Sequence, residues 1–104
     1  MLGKITEMIF VKNIEKKLKK YDIKMVHFVP GRIRLQSSRW IKNGDLIERI
    51  IDELNTQPFV FSVNFTEITG SVVITYDANH VTENHELESW FQILEQVYTT
   101  EFLQ

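Results

Sequence analysis

The sequence contains no cysteine. That absence excludes disulfides, thiolate-held zinc, iron–sulfur clusters, thiol redox chemistry and a cysteine nucleophile together, and it fits a reducing compartment. Long apolar runs are also missing. No stretch approaches the roughly 18–20 uninterrupted apolar residues that a bilayer span needs, so an integral membrane protein is not expected. The opening residues, MLGKITEMIFVKNIEKK, hold no apolar run followed by a small-residue cleavage site, so no secretory signal is read and a cytoplasmic location is expected. Glycine is scarce: Gly31 is the only one between Gly3 and Gly44. A glycine-rich loop that could cradle a nucleotide or phosphate is therefore absent, and no serine sits in a recognisable nucleophile motif. Positive charge is almost missing from the second part of the chain, where residues 43–104 carry Arg49 alone against eleven acids.

The first part has the opposite balance, with eleven Lys or Arg against three acids over residues 1–42. The halves therefore carry +8 and −10, a polarity concealed by the net charge of −2. Such asymmetry serves a basic surface for an acidic partner, an internal match between the halves, or head-to-tail contacts between copies. With 104 residues, 43% hydrophobic and 25% charged, the chain has the balance of one soluble globular domain with a single core.

Residues 4–21 have the pattern of a basic amphipathic helix. Ile5, Ile9, Ile14, Leu18 and Tyr21 form its apolar stripe, while Lys4, Lys12, Lys16, Lys17, Lys19 and Lys20 lie largely off it. Such a helix packs on its own domain, lies on a membrane surface or recruits a partner. Lys24 to Gln36, KMVHFVPGRIRLQ, predicts a first strand with a bend or bulge at Pro30-Gly31, after which Arg32 and Arg34 point one way and Ile33 and Leu35 the other. Asn43-Gly44-Asp45 supplies N-caps for a helix over about 45–56, stopped by Pro58. Phe59 to Ile68 predicts a second strand, with Phe59, Phe61, Val63 and Phe65 on one face. Thr69-Gly70 turns into a third strand over Ser71 to Tyr76, and a second helix follows over about 83–98 with a stripe of Leu87, Trp90, Phe91, Leu94 and Val97 or Tyr98. Residues 99–104 add a fourth edge strand or simply pack.

The order predicts an α+β fold: a ferredoxin-like split β-α-β sandwich, with an antiparallel sheet and helices on one face. Residues 1–22 form an extra N-terminal helix on a domain spanning 23–104, and that helix is the candidate to cover the open sheet face or to cover a neighbour in a dimer.

Val26-His27-Phe28-Val29-Pro30-Gly31-Arg32-Ile33-Arg34-Leu35, followed by a helix, Val63 and Gly70-Ser71-Val72-Val73-Ile74-Thr75-Tyr76-Asp77, resembles the cysteine-free branch of heavy-metal-associated domains. These are small ferredoxin-like domains found alone in bacteria and at the N-termini of some P-type metal ATPases. The likeness covers about residues 24–98. In metal-carrying members a Cys-x-x-Cys loop after the first strand supplies two soft thiolates for Cu(I) or zinc. Here Pro30 to Arg34 are expected at that place, and arginines cannot ligate a cation. The resemblance thus implies the fold and an association with metal transport without the usual ligands.

A metal site elsewhere would draw on His27, His80 and His85 with Asp77 or Glu83, which show no repeated ligand spacing. Acylphosphatases share the same strand plan and hold phosphate with a loop arginine and a strand asparagine, which points to Arg32 or Arg34 with Asn64. Without a phosphate cradle, no enzyme is expected. Nucleic-acid binding is the alternative from another class, with the lysine helix, Arg32, Arg34 and Arg39 on phosphates and Trp40 stacking a base. The expected role is a non-catalytic interaction or regulatory module with no cofactor. Its candidate surface comprises His27, Pro30, Gly31, Arg32, Arg34, Arg39 and Trp40 with Lys16, Lys19 and Lys20. The partner is an acidic protein surface, an anionic lipid headgroup or a second copy of the chain.

Overall fold

Pro30 and Gly31 reverse the chain instead of bending one strand. The computed structural model describes residues 12–81 and 84–102. In it, Lys24–Val29 (β1) and Arg32–Gln36 (β2) form an antiparallel hairpin, with Val29 opposite Arg32 and Lys24 opposite Gln36. Gly31 has φ of 90°, in the region that only glycine enters freely, and so supplies the reversal. Its carbonyl then accepts from the Tyr76 N–H at 3.0 Å, tying the turn to a third strand.

A helix over residues 12–19 (α1) precedes the hairpin; the part predicted over residues 4–11 lies outside the described residues. After β2 come a short 3-10 turn, Ser38–Trp40, the helix Gly44–Asn55 (α2), the strands Val60–Thr66 (β3) and Ser71–Tyr76 (β4), and the helix Asn84–Phe102 (α3). The sheet order is β1-β2-β4-β3, with every neighbouring pair antiparallel. β2, α2 and β3 enclose β4 in a split β-α-β unit, and the fold is a ferredoxin-like α+β sandwich. Among the described residues no strand follows residue 98, because α3 continues to Phe102. The edge beside β2 is taken by β1 instead.

α1 ends in a Schellman motif. The Ile23 N–H reaches back to the Leu18 carbonyl and the Asp22 N–H to that of Lys19, at 3.1 Å each, with Asp22 in the left-handed region at φ 61°. Leu18 and Ile23, which the motif brings together, are both buried. The described part of this helix, residues 12–19, does not cover the open sheet face expected of it from its sequence position. It lies beside α3: Lys17 Nζ is 3.1 Å from Glu88 Oε1, and the Tyr21 ring centre is 4.9 Å from that of Tyr98. Ile14 and Leu18 carry its apolar stripe into the common core, which explains the preference for this layer.

The core lies between the sheet and the helices. Two rows of apolar side chains run across the strands on this face, Phe28-Ile33-Ile74-Val63 and Met25-Leu35-Val72-Phe65. Leu46, Ile47, Ile50 and Leu54 of α2 and Leu87, Trp90, Phe91, Leu94, Val97 and Tyr98 of α3 close over them, as their spacings predict. Strict alternation fails in β3, where a bulge between Val60 and Ser62 puts Val60, not Phe61, on the core side and leaves Phe59 and Phe61 exposed.

The two positive-φ glycines respond differently to a side chain. A Cβ on Gly70 would stand 2.5 Å from the Ser37 carbonyl oxygen, whereas one on Gly31 meets nothing closer than 3.5 Å. Gly31→Ala is expected to cost about 1 kcal/mol from backbone strain alone. Gly70→Ala adds a backbone clash and is expected to cost about 3 kcal/mol. Urea unfolding midpoints of the two variants check the order, and equal losses would contradict it.

Candidate interaction surface

None of the four strands contains an acid. The face turned away from the helices carries Lys24 and His27 from β1 and Arg32 and Arg34 from β2. Val73 and Thr75 of β4 and Ser62 and Asn64 of β3 complete it, by the same registers that place the core rows on the other side. Arg34 stands opposite His27 on one side and Val73 on the other, and Arg32 stands between Val29 and Thr75. Among the described residues no element covers this face, and Arg32, His27 and Lys24 are exposed. Arg34 lies half-buried across the sheet, and its Nε is buried with no hydrogen-bond partner. An unsatisfied buried donor of this kind costs about 1–3 kcal/mol, and the guanidinium that carries it is suited to pair with a carboxylate.

The remaining predicted residues separate into three places. Pro30 and Gly31 form the hairpin turn at one end of the sheet. Arg39 lies at the other end, on the 3-10 turn, with its Nε 3.9 Å from Asp22 Oδ2. Lys16 and Lys19 line a groove of about 450 Å³ between α1 and β1, with Lys12 and Lys24 and with Glu15 and Asp22 as the acids. Lys20 is exposed on the flank of α1 toward Glu88. Lys24 belongs to both the groove and the sheet face, so the positive charge wraps around the β1 edge.

Trp40 is not part of any surface. It is 1% exposed, and its indole Nε1 donates to the Tyr98 hydroxyl at 2.8 Å. The side chain expected to stack a base is therefore a core residue. Burial pushes the Tyr98 phenol above its ordinary pKa, opposed by the indole hydrogen bond. Ser37, which caps the 3-10 turn by accepting from the Arg39 N–H, is the local device that turns Trp40 inward.

The sheet topology also moves the place where a metal loop would sit. The strand that precedes the crossover helix is β2, so the corresponding loop is residues 37–43 and not Pro30 to Arg34. It reads Ser37-Ser38-Arg39-Trp40-Ile41-Lys42-Asn43: hydroxyls, an amide, two cations and no thiolate or imidazole. This donor set does not fit a soft metal ion. Among the described residues no three of His, Asp and Glu converge on one point. His27 is on the β1 edge, whereas His80 follows β4 and stacks on Phe59 with ring centres 4.8 Å apart. His80 Nδ1 is 2.7 Å from Asp77 Oδ2. The side chains of Glu83 and His85 lie outside the described residues. Arg34 and Asn64, the pair suggested by acylphosphatases, share the open face with Val73 between them.

Two features had a sequence signal that the alternation masks. Pro-Gly between two β-patterned runs is a hairpin signature. The bulge at Phe61 follows from a residue in the left-handed region just before it, Phe59 at φ 70°, for which the sequence offers only Pro58 as a hint. The Trp40–Tyr98 pair had no local signal.

A family model described as heavy metal associated domain 2 matches residues 9–98. The match reaches back into the first helix, which the likeness over 24–98 leaves out. No curated protein and no solved structure matches the chain.

The Asp77–His80 pair sets one pH response. The hydrogen bond from His80 holds the Asp77 carboxyl below its usual value of 3.8, helped by the Asn79 N–H. A depressed folded-state pKa contributes stability that is complete above the unfolded value and lost as pH falls through the folded one. His80→Ala is expected to raise the Asp77 pKa and to reduce the acid-side change in stability. Carboxyl-carbon NMR titration of Asp77 measures this, and an unmoved pKa would contradict the pairing.

Proposed function

The chain belongs to the family of heavy metal associated domain 2, and on that premise we propose that it is a non-catalytic interaction module that recognises a carboxylate-bearing protein surface. The observation that carries this reading is the acid-free sheet face, on which Arg32 and Arg34 stand side by side with one guanidinium donor unpartnered. Arginine suits this work because its planar fork takes a carboxylate bidentately and is weakly hydrated. Exposed Val29 stands directly opposite Arg32 on this face, and a surface that sets arginine beside aliphatic side chains without acids has the composition of a protein interface.

Metal carriage through a thiolate loop does not belong to this reading, since residues 37–43 offer no soft donor. The module is a member of a metal-associated family whose recognition surface has moved from the loop to the sheet. A role beside a membrane metal transporter follows from the likeness to transporter N-terminal domains, with the transporter or an accessory protein supplying the acidic surface. No helix among the described residues is long and apolar enough to cross a membrane. Binding to nucleic acid is the weaker reading, because Trp40 is withdrawn from the surface and the acidic helices would repel phosphates.

Fluorescence anisotropy with a labelled glutamate-rich helical peptide tests the proposal. Binding at about 50 mM salt is expected to weaken steeply as ionic strength rises. Arg32→Gln/Arg34→Gln is expected to weaken it about tenfold or more, which is about 1.4 kcal/mol. Equal affinity of the variant would contradict the assignment. Separately, added Zn²⁺ or Cu(I) is expected to leave the melting temperature unchanged; a saturable rise would contradict the loss of metal carriage.

A further inference from the structure

Both edges of the sheet are interrupted. β1 has a bulge between Met25 and His27, and β3 one between Val60 and Ser62. Bulged edges resist pairing with another strand, and Lys24 adds a charge to one of them. Association through the sheet therefore uses its open face. On that face Val29, opposite Arg32, is 41% exposed, and the bulges leave Val26 and Phe61 exposed at the two edges, so covering the sheet removes apolar surface from water. Two copies meeting face to face would set arginine against arginine with no acid on either side to pair them.

The complementary surface lies on the opposite layer of the same molecule. Asp45, Glu48 and Asp52 of α2 are exposed and follow one another at spacings of three and four, which aligns them as a stripe along the outside of the helix. Glu48 and Asp52, one turn apart, are separated by about 6 Å along the helix axis. Arg32 and Arg34, two residues apart on one face of a strand, are separated by about 6.6 Å. The carboxylates and the guanidinium groups thus have the same sign-opposed repeat.

We propose that the chain docks on itself head to tail, with the Glu48/Asp52 stripe of one copy seated on the Arg32/Arg34 face of the next. This rests on the reading of the arginine face as a carboxylate-binding surface and names its occupant. Arg34, whose Nε has no hydrogen-bond partner among the described residues, takes a carboxylate from the neighbouring α2 on its guanidinium group. The two surfaces sit on opposite sides of the sandwich, so each copy can use both at once. A heterologous contact of this kind closes into a ring or extends as a chain of copies. It also gives the charge polarity of the two halves a use, because the basic half supplies one side of the contact and the acidic half the other.

Sedimentation velocity with neutral variants tests the geometry. In wild-type protein the mass is expected to rise with concentration at about 50 mM salt and to fall to the monomer at about 0.5 M. Arg32→Gln/Arg34→Gln and Glu48→Gln/Asp52→Asn are each expected to be monomers with unchanged melting temperatures. Mixed in equal amounts they are expected to form a dimer and nothing larger, since each retains one working surface. A wild type that stays monomeric, or a mixture that stays monomeric, overturns the proposal. If the monomeric wild type still binds the glutamate-rich peptide, a foreign acidic helix is the occupant and only the self-docking fails. If it instead sediments with phosphatidylserine-containing vesicles and ignores the peptide, both this proposal and the protein-recognition reading fail.

Discussion

The turn at Pro30-Gly31 is the constraint on which the rest of the molecule depends. A two-residue reversal at φ 90° makes β1 and β2 neighbours, and the Gly31 carbonyl sets the β2–β4 ladder by accepting from Tyr76. With β1 filling the edge beside β2, the C-terminal segment is released from forming a strand. It extends α3 to Phe102, in the same helix that sets Tyr98 against the Trp40 indole and the Tyr21 ring. The same reversal fixes the parity of β2, so that Ile33 and Leu35 enter the core and Arg32 and Arg34 face outward.

Charge follows the layers and not the simple division of the chain into a basic and an acidic half. The basic half is split between the open sheet face and the outer side of α1, while the acids concentrate on α2 and α3. Lys17–Glu88 is an ion pair that joins the halves, but it is exposed, and exposed pairs of this type contribute about 0–1 kcal/mol. The fold is held by apolar rows and the buried Trp40–Tyr98 hydrogen bond, which leaves the sheet arginines available for recognition.

The helices and the β3–β4 hairpin were legible in the sequence because their periods are unambiguous. Leu87 to Tyr98 repeat at three and four, and Ser71 to Tyr76 start from the turn that Gly70 makes. The first hairpin was hidden by its own regularity: apolar residues continue on both sides of Pro30-Gly31, so the two strands resemble one. Phe61 was misplaced because a bulge shifts the period by one without changing composition. Trp40 looked like a surface aromatic because it sits among Ser, Arg and Lys, and its partner lies 58 residues away. The arginine face was legible from alternation alone, whereas its unpartnered donor and the bulged edges needed the three-dimensional register.

The family's fold is retained, and the proposed recognition surface is the uncovered side of the sheet in place of the loop before the crossover helix. The most direct test follows backbone amide shifts in ¹⁵N-labelled protein as an unlabelled glutamate-rich helical peptide is added. The account predicts that the largest changes fall on residues 27, 32, 34, 73 and 75, with residues 37–43 nearly unmoved. Changes centred on 37–43, with the sheet residues silent, would contradict it.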